Sequence, residues 1–196
     1  MLKFYDEGHI YEYNGKVIPS VSELLRFMSR EVYGDINKFL LDQAAERGTA
    51  VHSATQALDE TGTVECSDDI AGYVEAYVQF RRDHDVVWQY IEKPIAHPSL
   101  LYAGTIDRAG LVDSESAIVD IKTNATVKKT MVKAQLNGYR KLMDTIGYKA
   151  DRLYCLQLMR TGKYRLYPAV IDETEFIACY RLHQAMAKRH ARGKIE

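Results

Sequence analysis

Cysteine is scarce in this chain of 196 residues: only Cys66, Cys155 and Cys179, widely spaced and with no CxxC pair. An odd, scattered set excludes a disulfide framework and argues against a cysteine-bound zinc or iron–sulfur site. Long apolar runs are also missing. None approaches the ~20 residues that cross a bilayer, so no membrane role is expected. The opening stretch MLKFYDEGHIYEY carries acids and tyrosines and lacks the pattern of a secretory signal. Net charge is −1, which removes the global basic excess of a non-specific nucleic-acid coat protein. Repeats, low-complexity stretches and linkers are absent, so the chain reads as one domain over residues 1–196, long enough for a substantial core. The basic runs TVKKTMVKAQ and AKRHARGK read as solvated faces as readily as binding patches.

What is present is clear periodicity. HIYEYNGKVIPSVSELL alternates around Asn14-Gly15, the signal of a two-residue hairpin. Ser20 then caps a short helix through Phe27. From Ile36 to Glu60, Phe39, Leu40, Ala44, Gly48, Val51, His52 and Thr55 recur at helical spacing. Ser67 and two acids open another helix to about His84, with Ile70, Tyr73, Val74, Tyr77 and Phe80 as its inner face. Three strand-like runs follow, VVWQYIEKPIAH, LYAGTIDRAGLV and SAIVDIKT, the last two joined by a turn near Asp113–Ser116. A helix over 130–146 stops at Gly147. Strands DRLYCLQLM and KYRLYPAVI flank Thr161-Gly162, and Asp172 with Glu175 suggests a capping box for a last helix to Arg189. The expectation is an α/β fold with a mixed sheet and helices on both faces. A hairpin and helices fill residues 1–85, the strand core 86–170 and a C-terminal helix 172–190.

Four short patterns carry chemistry. In ERGTAVH, Gly48 and His52 lie one turn apart on a helix, and a glycine there, costing about 1 kcal/mol against alanine, hints at a close packing partner. GTID ends in Asp107. In DIK, Asp120 and Lys122 share one face of a strand while Val119 and Ile121 share the other. A tight hairpin between Asp107 and Asp120 brings two carboxylates together, and such a pair raises a pKa or requires a cation. In QLNGY, Gln135 and Tyr139 share a helix face. Taken singly, each has a plain structural reading; an exposed Asp120–Lys122 pair, for instance, contributes only ~0–1 kcal/mol.

Taken together and in this order, G-x-x-x-H, G-x-x-D, D-x-K and Q-x-x-x-Y resemble the RecB-type branch of the PD-(D/E)XK nuclease superfamily. The resemblance spans about residues 47–139, and the hairpin with IPSVSELL before it looks like phage and mitochondrial-maintenance-type exonucleases. It implies a restriction-endonuclease-like core, with His52, Asp107, Asp120 and the Ile121 carbonyl binding Mg²⁺ or Mn²⁺. Lys122 would position or activate the attacking water; Gln135 and Tyr139 would orient the lysine and the strand. Glu92 is a further candidate, as ligand or as surface residue, and Thr123 and Arg47 are candidate phosphate contacts. The implied function is a metal-dependent DNA exonuclease of phage-type recombination or repair, in the cytoplasm of a bacterium or phage-infected host. A structure-specific or single-strand endonuclease, and a non-catalytic nucleic-acid-binding module, are the alternatives. Single- or double-stranded DNA ends are the implied partner, with a homo-oligomer and an annealing or single-strand-binding protein as further ones. Relatives that carry an iron–sulfur cluster use four cysteines, so none is expected here, and without a Walker motif any unwinding belongs to another protein.

Overall fold

The computed structural model describes residues 1–5, 7–34 and 38–192. Its first sheet is antiparallel, in the order β1 (Leu2–Tyr5), β2 (Ile10–Tyr13), β3 (Lys16–Ile18). Asn14 and Gly15 both take positive φ, 51° and 79°, as a two-residue turn matched to strand twist demands. β1 extends the hairpin expected from that turn by one strand. Ser20 caps α1 (Val21–Leu24), its Oγ accepting the Glu23 N–H at 3.0 Å. The expected short helix is broken at Leu25 and resumes as α2 (Arg26–Tyr33). α3 spans Lys38–Thr61; its expected start at Ile36 lies outside the described residues. In α4 (Asp68–Asp83) all five expected inner residues are buried. Ser67 makes no side-chain cap bond, so Asp68 and Asp69 in the first turn are what oppose the helix dipole there.

The main sheet follows the order β4 (Val86–Ala96), β5 (Ala103–Val112), β6 (Glu115–Lys122), β7 (Arg152–Leu158), β8 (Tyr164–Ala169). Its pairs are antiparallel except β6–β7, which is parallel. A parallel pair needs a crossover, and α5 (Lys129–Asp144) provides it. α6 (Thr174–Arg192) closes the chain. The expected mixed α/β architecture, a central sheet flanked by helices, is therefore present.

Strand alternation sorts the core into two. Ile118 packs with Leu24, Leu136, Leu142 and Phe176 from α1, α5 and α6. Val119 and Ile121 pack on the opposite face with Val51, Tyr73, Tyr77 and Phe80 from α3 and α4. The capping box at Asp172 does not form. Asp172 Oδ1 instead accepts the Thr174 N–H at 3.0 Å, its own N–H goes to Asn137 Oδ1, and Glu175 pairs with Lys133. Tertiary partners on α5 have displaced the local motif.

Candidate metal-binding cleft

The β5–β6 hairpin pairs Arg108 with Val119, which sets Asp107 and Asp120 side by side at the next position. There the strands part, and Asp107 Oδ2 accepts the Ile121 N–H at 2.7 Å. α3 crosses this end of the sheet and presents His52. Its Nε2 lies 3.3 Å from the Ile121 carbonyl and 3.8 Å from Asp107 Oδ2, and its Nδ1 lies 3.0 Å from Glu92 Oε1. One ligand atom each from His52, Glu92 and Asp107 falls within 4.8 Å of the others.

Glu92 reaches this cluster through an irregular strand. The β4–β5 register shifts between Trp88 and Tyr90, and Glu92 itself takes φ 42°. A left-handed non-glycine residue costs roughly 1–3 kcal/mol and persists where its surroundings over-determine it. Here Arg108 Nη1 donates to Glu92 Oε1 at 2.9 Å. Of the two readings the sequence allowed, Glu92 is the inward one.

Asp120 and Lys122 share a face, as alternation required. The Lys122 ammonium lies 2.9 Å from Oδ1 and 2.8 Å from Oδ2 of Asp120. Only Oδ1 has hydrogen-bonding geometry; buried Oδ2 has no hydrogen-bond partner. Asp120 therefore stands outside the His52–Glu92–Asp107 triplet, next to it on the neighbouring strand, with Oδ2 met by the charge of the Lys122 ammonium and by no hydrogen bond. One imidazole nitrogen, the Glu92 and Asp107 carboxylates and the Ile121 carbonyl, with Asp120 beside them, make an oxygen-rich donor set that fits a divalent cation.

Electrostatics match this crowding. Burial lowers the His52 pKa, but Asp107 and Glu92 outweigh it and raise the group to about 9. Burial pushes the Asp107 carboxyl up, with the Glu92 charge adding and His52 opposing. Asp120 is pushed to about 6 by burial, with Lys122 opposing and Asp107 adding. Burial disfavours the Lys122 cation, yet Asp120 and Asp107 carry its pKa above the ordinary range. Both acids thus favour the ammonium form of Lys122.

The remaining candidates divide. Gln135 Nε2 donates to the Tyr139 hydroxyl at 2.9 Å, and Tyr139 and Thr123 line the cleft above the cluster. A Cβ on Gly104 would come within 2.8 Å of Tyr139 Cε1, so the glycine of GTID gives that ring its seat. Arg47 does not reach the cleft. Five positions from His52 is about 140° around the helix, and its guanidinium lies over the Tyr73 ring of α4 instead. Gly48 has no close packing partner either: a Cβ there would meet nothing within 4 Å, because it faces the open cleft.

Sequence reasoning missed Arg108 and Asp59. Arg108 is fully buried beside Asp107 and donates to Asp59, Glu92, Thr55 and the Asp107 carbonyl. The signal was an arginine inside the strand run GTIDRAG, where an unpaired cation has no place.

No protein-family model matches the sequence, and no curated protein matches it. Among solved structures, an alkaline exonuclease (LHK-Exo) from Laribacter hongkongensis is similar at 15% identity, covering 90% of this chain and 94% of that one, with a TM-score of 0.39. LHK-Exo in complex with dAMP gives 16% identity, 91% and 95% coverage and 0.39; SSO0001 gives 13%, 82% of each chain and 0.36. TM-scores this low carry no argument, so the functional reading rests on the geometry of the cleft. Among the described residues, no helix is long and apolar enough to cross a membrane.

Proposed function

We propose that this cleft hydrolyses phosphodiester bonds of DNA with Mg²⁺ or Mn²⁺ bound, acting on strand ends as an exonuclease of the phage recombination or repair type. The observation that carries the reading is the meeting of His52, Glu92 and Asp107 within 4.8 Å beside the buried Asp120 and its half-buried partner Lys122. His52, Asp107 and the Ile121 carbonyl are the ligands, with Glu92 and Asp120 Oδ2 completing the set. When bound, a divalent cation supplies Lewis-acid charge at the phosphoryl group.

The chain's own groups do the rest. Asp120 holds the Lys122 ammonium, which donates to the attacking water or a phosphate oxygen as a compact charge. Gln135 anchors the Tyr139 hydroxyl so that the ring keeps its place in the cleft wall. Thr123, buried in the cleft lining, is the proposed contact for an adjacent phosphate.

The test is digestion of end-labelled linear DNA, single- and double-stranded, with Mg²⁺ or Mn²⁺ and a chelator control. Release of nucleotides or short oligomers that stops with chelator, and falls roughly 10²-fold in Lys122→Ala, is the expected result. Cutting of closed circles would replace the exonuclease with an endonuclease, and no cleavage of any DNA would leave a binding module.

Metal binding should also release protons. Without metal, His52 titrates at about 9, so at pH 7 a cation must displace about one proton from the ring. Apparent affinity for Mn²⁺ should rise with pH up to about 9. Calorimetry in two buffers of different ionisation enthalpy reads the proton count, and a value of zero at pH 7 would mean that the ring holds no proton for the cation to displace.

A further inference from the structure

The mouth of the cleft carries an aromatic wall that phosphodiester chemistry leaves unused. Phe4 and the exposed His9, from β1 and the turn after it, line the cleft opposite α3. Their rings meet edge-on at 5.0 Å, and Phe4 stacks on Tyr11 at 4.8 Å. Tyr11 is buried, and its hydroxyl lies 3.1 Å from His9 Nε2 and 2.8 Å from Thr105 Oγ1. Thr105 is two residues before Asp107 on β5. The rings are thereby fixed to the strand that carries Asp107.

His9 takes φ 52° after Gly8 at 78°. An L residue adopts that backbone at a cost, and the ring contacts just described help to hold it. Across the cleft, α3 presents Gly48, Thr49 and Ser53. Gly48 spends helix stability on open space, since its absent Cβ has no neighbour within 4 Å. Between the two walls lies a cleft of about 580 Å³, within the range of small-ligand sites. Flat rings on one side, and small and hydroxyl-bearing residues on the other, fit a planar heteroaromatic group attached to a sugar and phosphate.

We propose that Phe4 and His9 form a stacking wall for one unpaired nucleobase next to the scissile phosphate. The proposal rests on the phosphodiesterase reading of the cleft and deepens it. A base stacked there has left its duplex, so the preferred substrate is a single strand or a frayed end. Preference among the four bases should be weak, because each has a π face.

The experiment uses the full chain and short single-stranded DNA, either intact or with an abasic residue at the 5′ or 3′ end. Binding is followed by fluorescence anisotropy with Ca²⁺, and cleavage with Mg²⁺. Three variants attack the slot: Phe4→Leu keeps apolar bulk without a π face, His9→Ala removes the second ring, and Gly48→Leu fills the gap from the opposite wall. Thermal melts accompany each.

Wild-type protein is expected to bind the intact strand about tenfold tighter than the strand abasic at one of its ends. Phe4→Leu and Gly48→Leu should lower binding of the intact strand to the abasic level. Equal affinity of the wild type for intact and abasic strands would overturn the wall, as would full discrimination retained by variants that melt like wild type. Cleavage without discrimination sinks the wall and leaves the phosphodiesterase standing. Discrimination in binding without cleavage under any metal supports the wall and sinks the phosphodiesterase.

Discussion

Asp107→Asn is expected to lose divalent-metal binding and to cut DNA cleavage by about 10³-fold or more, while the metal-free protein melts no lower than wild type. The first half follows from position. Asp107 is the carboxylate nearest both His52 Nε2, at 3.8 Å, and the Ile121 backbone, whose N–H it accepts at 2.7 Å. A cation placed among these groups contributes several kcal/mol of charge stabilisation, and each ~1.4 kcal/mol is tenfold in rate. The second half follows from sign. The folded-state pKa of Asp107 is raised by burial and by Glu92. A raised carboxyl favours folding only at pH below the unfolded value, and the benefit is lost as pH climbs through the folded pKa. At neutral pH burial of that charge therefore opposes folding, and its attraction to the His52 ring offsets part of the cost. Asparagine is nearly isosteric, keeps an oxygen for the Ile121 N–H and removes that charge. Mn²⁺ titration and thermal melts with and without metal decide the matter; wild-type metal affinity in the variant would remove Asp107 from the site.

Much of this architecture could be read from spacing, and the failures share a cause. The inner face of α4 and the common face of Asp120 and Lys122 follow from periods of 3.6 and 2, which local backbone geometry enforces whatever lies nearby. The Asn14-Gly15 turn was equally legible, because only residues tolerant of positive φ fit it. Glu92 was ambiguous because its direction depends on a register shift in β4 and on a left-handed backbone at an ordinary-looking residue, neither of which periodicity records. Gly48 was misread as a packing glycine because the same absence of a Cβ serves a tight contact and an empty cleft equally well. Arg47 shares its helix with His52 but not its face. Phe4 and His9 were passed over in a stretch read for its acids, its tyrosines and the hairpin that starts at His9, since their placement depends on β1 pairing with β2. What local rules determine was visible; what the meeting of distant elements determines was not.

Arg108→Met should destabilise the protein by about 3–5 kcal/mol, the cost of removing the buried cation shared by Asp59 and Glu92 and leaving Asp59 with the Arg81 cation alone. Arg108 lies within the sheet–helix interior with no exposed side-chain surface, and Asp59, on α3, is only 1% exposed. Asp59 Oδ2 accepts from Arg108 Nε at 2.7 Å and from the Tyr77 hydroxyl at 2.6 Å, and Arg81 pairs with its other oxygen. Arg108 Nη2 donates to Thr55 at 3.1 Å, and Nη1 to Glu92 at 2.9 Å. One guanidinium thus joins α3 to β4 and β5, and through Tyr77 to α4. Methionine matches much of its bulk but satisfies none of these acceptors. If stranded charge is the cause, Asp59→Leu in the Arg108→Met background should recover part of the loss, even though Asp59→Leu alone destabilises. Additive losses in that double-mutant cycle would show that packing volume, and not the ion pair, sets the cost. The same cycle separates stability from site geometry. Asp59→Leu removes a partner of Arg108 but leaves its bond to Glu92, so metal affinity should fall far less in Asp59→Leu than in Arg108→Met. Equal losses in the two would mean that Arg108 supports the fold alone and does not hold Glu92 toward the cleft.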